Sequence, residues 1–154
     1  MPDITHIHPM LVHFPISLFL IAVLVQIATL VQQGDLAADD CLPQVALGAL
    51  VIGTVAAIAA GVFGDIALEH AAELGFPEHE LEEHEELGFA TVWFFVVLTS
   101  FTLFARFRGI ALDGGKGWGV AAAGVAGVVL LVMAAAHGGE LVYELGVNVE
   151  AVTP

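Results

Sequence analysis

Four stretches of this chain contain no Asp, Glu, Lys or Arg: Pro9 to Gly34, Cys41 to Gly64, Leu87 to Ala105 and Gly117 to Ala136. Each is about 19–26 residues long, and a helix needs roughly 20 apolar residues to cross a bilayer. Only 13% of the 154 residues are charged, about half the usual share for a soluble domain. Lipid is therefore the solvent this sequence is written for. The first run is not read as a cleaved leader. Its flank, Met1 to His8, carries Asp3 and no Lys or Arg, whereas a secretory leader opens on a basic segment.

The expected fold is all-α: an integral membrane antiparallel four-helix bundle forming one transmembrane domain over residues 1–154. Helices are expected at about 9–33, 43–68, 87–106 and 117–137, and an acidic His/Glu-rich segment spans 69–86. Pro9 suits a first helical turn, and Pro15 should kink or widen the next, freeing a carbonyl near His13. Gly75 and Pro77 mark a turn before a short acidic helix that leads into the third span. Gly138-Gly139 is expected to loosen the last one. Ala57/Gly61, Ala60/Gly64 and Ala123/Gly127 have the small-xxx-small spacing that lets membrane helices approach closely, which permits a homodimer. Cys41, at a helix start, reads as a small apolar filler; a lone cysteine excludes an intrachain disulfide and a cysteine-based zinc site.

The formal net charge is −14. That argues against nucleic-acid binding, which needs a basic footprint, and against docking on anionic lipid. All three bases, Arg106, Arg108 and Lys116, lie between the third and fourth runs. Lys and Arg mark the cytoplasmic side of multi-pass proteins. The expectation is a cell-membrane location with both termini and the 69–86 segment extracytoplasmic.

Four antiparallel helices put the start of the first, the end of the second, the start of the third and the end of the fourth at one membrane face. Those are the places of His13, His70, His84 and His137, one per helix. His8, Asp65, Glu140 and Tyr143 share that end. Histidines scattered by chance would divide between the two ends, and ionisable groups beside membrane segments are costly and usually functional. His13, His70, His84 and His137 are therefore the candidate ligands. His8, Asp65, Glu140 and Tyr143 are candidates to support them.

The opening His8-Pro9-Met10-Leu11-Val12-His13-Phe14-Pro15 and the closing His137-Gly138-Gly139-Glu140-Leu141-Val142-Tyr143-Glu144-Leu145-Gly146-Val147 resemble an uncharacterised family of predicted four-helix membrane proteins, domain of unknown function 2231. The resemblance covers nearly the whole chain; Asn148 stands where a small residue is expected. It implies fold and location without an established activity. Its members resemble small b-type cytochromes, and some resemble parts of Rieske-type electron-transfer systems.

Three functions fit this chemistry. The first is an electron carrier with b-type haem held by neutral imidazoles from facing helices, with His13 opposite His84 and His70 opposite His137. A redox partner protein or a quinone would then exchange electrons with it. No Lys or Arg lies at that end to receive haem propionates, which counts against this reading. The second is a non-haem centre or metal carrier for zinc, copper or iron. The third is an accessory subunit with an acidic docking surface. No His-Glu-x-x-His motif occurs, and no Ser or Cys accompanies the histidines, so a hydrolase is not expected.

Overall fold

The computed structural model describes residues 6–149, all of whose regular structure is helical. A short α1 (Ile7–Leu11) leads into α2 (His13–Val31), followed by α3 (Cys41–Glu73), α4 (Glu78–Phe107) and α5 (Gly114–Tyr143). Four helical segments are long and apolar enough to cross a membrane: Ile7–Val31, Cys41–Glu73, Glu78–Phe107 and Gly114–Tyr143. Each of the long helices α2 to α5 packs on its neighbours in chain order, and α5 closes back on α2. The result is an up-down-up-down square with α2 diagonal to α4 and α3 diagonal to α5.

The break at Val12 has a covalent cause. Pro15 lacks the N–H that would bond the Leu11 carbonyl, so the ladder is interrupted one turn ahead of the proline. Pro15 itself is buried in the first turn of α2. Other helix bounds differ from expectation too, α3 running on to Glu73 rather than ending at about 68. The acidic block is no separate helix, because α4 begins at Glu78 straight after Pro77 and runs unbroken to Phe107. Gly138 and Gly139 do not loosen α5, which continues to Tyr143; the neighbours of α5 hold it where glycine alone would weaken it. Cys41, read as a small apolar filler, lies exposed at the first position of α3.

The middle of the bundle is an aromatic layer. Phe19 and Phe95 reach across the diagonal and stack with ring centres 3.5 Å apart and planes 4° from parallel. Gly53 and Gly127 on the other diagonal make this possible. A Cβ on Gly53 would lie 2.9 Å from the Phe19 ring, and one on Gly127 would lie 2.8 Å from both Phe94 and Phe95. Beside this layer, Thr54 and Thr99 hydrogen-bond at 2.8 Å between α3 and α4.

At the basic end the two connections are stitched together. The Asp35 carboxylate accepts the N–H groups of Ala37 (2.8 Å) and Leu112 (2.7 Å), and Leu36 N–H donates to the Leu112 carbonyl at 3.1 Å. Arg106 donates to the carbonyls of Ala37 and Ala38 and pairs with Asp39. These contacts satisfy loop groups that lipid could not.

At the other end α3 and α4 run past their apolar stretches, since 33 residues make a helix about 50 Å long against a hydrocarbon layer of about 30 Å. The overhang carries a second small core of Ala71, Leu81, Leu141 and Val147, with Leu68 and Phe76 packed on it. Two helix ends build it. Gly75 (φ +86°) turns the chain so that Phe76 N–H reaches the Ala71 carbonyl, and Gly146 (φ +73°) does the same for Val147 and Leu141. In each case the residue after the glycine joins the apolar contact, as this kind of helix stop favours. Asn148 adopts φ +57°, a conformation asparagine tolerates better than most residues. Its side-chain amide approaches the Ala67 carbonyl at 3.4 Å.

Candidate functional site

Between the aromatic layer and this second core lies the histidine layer, where Gly64 and Gly138 replace Gly53 and Gly127. The His8 ring occupies the notch at Gly64, where a Cβ would come within 2.9 Å of Nδ1. The His84 ring occupies the notch at Gly138, where a Cβ would come within 2.9 Å of Cε1. The two rings meet edge to face, with centres 6.1 Å apart and planes at 84°.

Hydrogen bonding fixes which ring nitrogens are spoken for. His8 Nδ1–H donates to the Ala60 carbonyl at 2.7 Å; a carbonyl only accepts, so the proton is on Nδ1 and the Nε2 lone pair remains. His137 pairs through Nε2 with Glu83 Oε2 at 3.2 Å, leaving Nδ1. Glu83 also meets His79 Nε2 at 3.3 Å through its other oxygen, one turn along α4. His84 is the exception. Its Nδ1 is buried and meets no partner at full hydrogen-bond geometry, although the Ala134 carbonyl lies beside the ring; a buried polar atom left unpaired costs about 1–3 kcal/mol. His8 and His137 are its titratable neighbours.

Rings bonded in this way are able to act as ligands. One nitrogen of each supporting ring is held by a carbonyl or carboxylate, and the other keeps a lone pair. The donors suit iron, copper or zinc. Among the described residues no three His, Cys, Asp or Glu side chains already converge on a single metal position.

Of the four ligands nominated from sequence, His84 and His137 come together here. His13 and His70 are exposed at the same end; His13 Nδ1–H turns back to the Pro9 carbonyl at 2.8 Å. His84 has His8 as its ring neighbour rather than His13, and His137 has Glu83 rather than His70. Among the supporting candidates, His8 is central, while Asp65, Glu140 and Tyr143 are exposed, Tyr143 at 90%. Sequence reasoning missed Glu83 and the two ring-receiving glycines. A glycine directly beside His137, in a run that stays helical, was the available sign that another ring needed the space.

Fold and site together define a four-span helical membrane protein with a histidine-rich end. The chain belongs to the predicted membrane protein family DUF2231, whose profile matches residues 5–151. No curated protein and no solved structure shows significant similarity to it.

Proposed function

We propose that this chain is an integral membrane electron-transfer protein that holds an imidazole-ligated redox cofactor at its histidine end. His8 and His84 are the primary pair, with His137 beside them. The observation that carries this reading is the buried Nδ1 of His84, without a partner at full hydrogen-bond geometry, in a ring beside two others that are each tied at one nitrogen. A membrane bundle gains nothing from an orphaned polar atom when a leucine would fill the same notch.

The donor set fits b-type haem, the form expected first, since haem iron takes two imidazoles and supplies reversible one-electron chemistry. A single copper or iron ion is the second form, and it needs less room. With their centres 6.1 Å apart the two rings could share one ion only after turning from their edge-to-face contact until each presents a nitrogen. A macrocycle needs a slot as well, and the rings themselves fill the notches at Gly64 and Gly138. What the chain contributes in either case is orientation: Ala60 and Glu83 hold His8 and His137 in one tautomer and one rotation.

On the positive-inside rule the Arg106–Lys116 end faces the cytoplasm and the histidine end the opposite side. A redox protein or a quinone is then the partner there. The deciding experiment is an absorption spectrum of the detergent-purified protein before and after dithionite, with metal analysis of the same sample. A sharp Soret band with split visible bands assigns haem. Stoichiometric copper or iron without those bands assigns the single ion. Zinc alone turns the reading to metal handling, and a colourless, metal-free protein from replete cells overturns it in favour of an accessory subunit. An alanine series over His8, His84 and His137, extended to His13 and His70, identifies the ligands.

A further inference from the structure

Two apolar grooves between α4 and α5 form one feature. They share Leu98, Phe101 and Ala123, so a trough of about 510 Å³ beside Trp93 runs into one of about 420 Å³ that ends at Lys116. Lys116 is the sole charged residue along either groove. Ala123 provides the depth, a small residue facing Phe101 and Leu98 across the helix pair. From Ala90 to Phe101 the helix rises about 17 Å, and the trough continues beyond that towards the membrane edge.

Lys116 is one of only three bases in the chain. The other two are engaged: Arg106 holds the Ala37 and Ala38 carbonyls and Asp39, and Arg108 lies over the Phe104 ring. Among the described residues Lys116 makes no ion pair. The acids at this end are Asp35, Asp39, Asp40 and Asp113, four of the chain's 17. Asp35 is used by two backbone N–H groups and Asp39 by Arg106. Asp113 is the N-cap residue of α5, one turn before Lys116, and its carboxylate makes no capping hydrogen bond. The large negative charge that argues against anionic lipid for the whole chain thus resides mainly at the other end.

An apolar trough on a lipid-facing surface takes any acyl chain that passes. An unpaired ammonium at its end, at headgroup level, adds a preference for a phosphate carrying net negative charge. We propose that the α4–α5 trough is a binding site for an anionic phospholipid, with an acyl chain against Trp93, Phe101 and Ala123 and the phosphate on Lys116. The proposal is independent of what the histidines hold.

Native mass spectrometry of the full chain, released from nanodiscs of equal phosphatidylglycerol and phosphatidylcholine, tests it. The wild type should retain phosphatidylglycerol preferentially. Lys116→Gln should weaken that retention about fivefold, the equivalent of one basic residue at a membrane surface, whereas Lys116→Arg should preserve it. Ala123→Phe should fill the trough and reduce retention of both lipids while circular dichroism shows the helices intact. Equal retention of the two lipids, or unchanged retention in Lys116→Gln, would overturn the proposal. So would displacement of the bound lipid by inorganic phosphate, which would make the site one for free anions, or by an equimolar prenylquinone, which would assign the trough to that ligand.

Discussion

The aromatic layer and the histidine layer are built on the same plan and end in opposite states. In both, a ring from the α1–α2 arm meets a ring from α4 across the bundle, and glycines on α3 and α5 give them room. Phe19 and Phe95 are fully buried and leave nothing unsatisfied. His8 and His84 fill equivalent notches but leave Nδ1 of His84 without a partner at full hydrogen-bond geometry. Packing accounts for the first layer completely. It accounts for the shape of the second but not for its chemistry, so the choice of histidine over phenylalanine is what needs a function.

The comparison breaks first at Phe95. Phe95→Ala should cost about 3–5 kcal/mol, the usual loss on emptying an aromatic site, tending to the lower figure because lipid is as apolar as the core and only packing is lost. Denaturant titration in micelles would measure it. A loss below about 1 kcal/mol would mean that the stack contributes little and that the two layers are not alike.

Glycine substitutions probe the same contrast more gently. Gly127→Ala presses on Phe94 and Phe95, which have nowhere to go, and should cost toward the upper part of the roughly 1–3 kcal/mol range for overpacking. Gly64→Ala presses on the half-buried His8 ring, which can swing out by giving up its bond to Ala60, and should fall at the lower end. If Gly64→Ala proves the costlier, His8 is locked by more than this one hydrogen bond. The smallest effect is the most informative. His84→Phe keeps a ring in the Gly138 notch and removes the orphaned nitrogen, so the cofactor-free protein should become about 1 kcal/mol more stable. A loss of stability would show that Nδ1 has a partner such as an internal water, and the two layers would then differ less than their bonding indicates.

How much of this was legible in the sequence depends on the kind of information each feature needs. The spans follow from unbroken apolar runs, and the histidine end follows from helix count and alternating direction. Both survive any rotation of a helix about its own axis. The contacts of a particular ring do not. His8 and His13 flank the break at Val12 that Pro15 causes, and the direction of the chain on either side of it decides that His8 enters the bundle while His13 stays exposed. Glu83 looked like one of many acids in a solvated block. It becomes distinct only because α4 starts at Glu78 and carries its first two turns over α5, within reach of His137. Gly64 and Gly138 were visible as small residues, but a glycine in sequence does not say which ring it admits.

The small core of Ala71, Leu81, Leu141 and Val147 sits over the histidine layer like a stopper, and one of its four members comes after every helix in the chain. During synthesis the first span, with His8, is made first, and Val147 emerges only after all four spans. Until then the core over the histidine layer is incomplete. The order of the sequence thus sets an interval in which the histidine layer stands open, and the turn that brings in Val147 ends it.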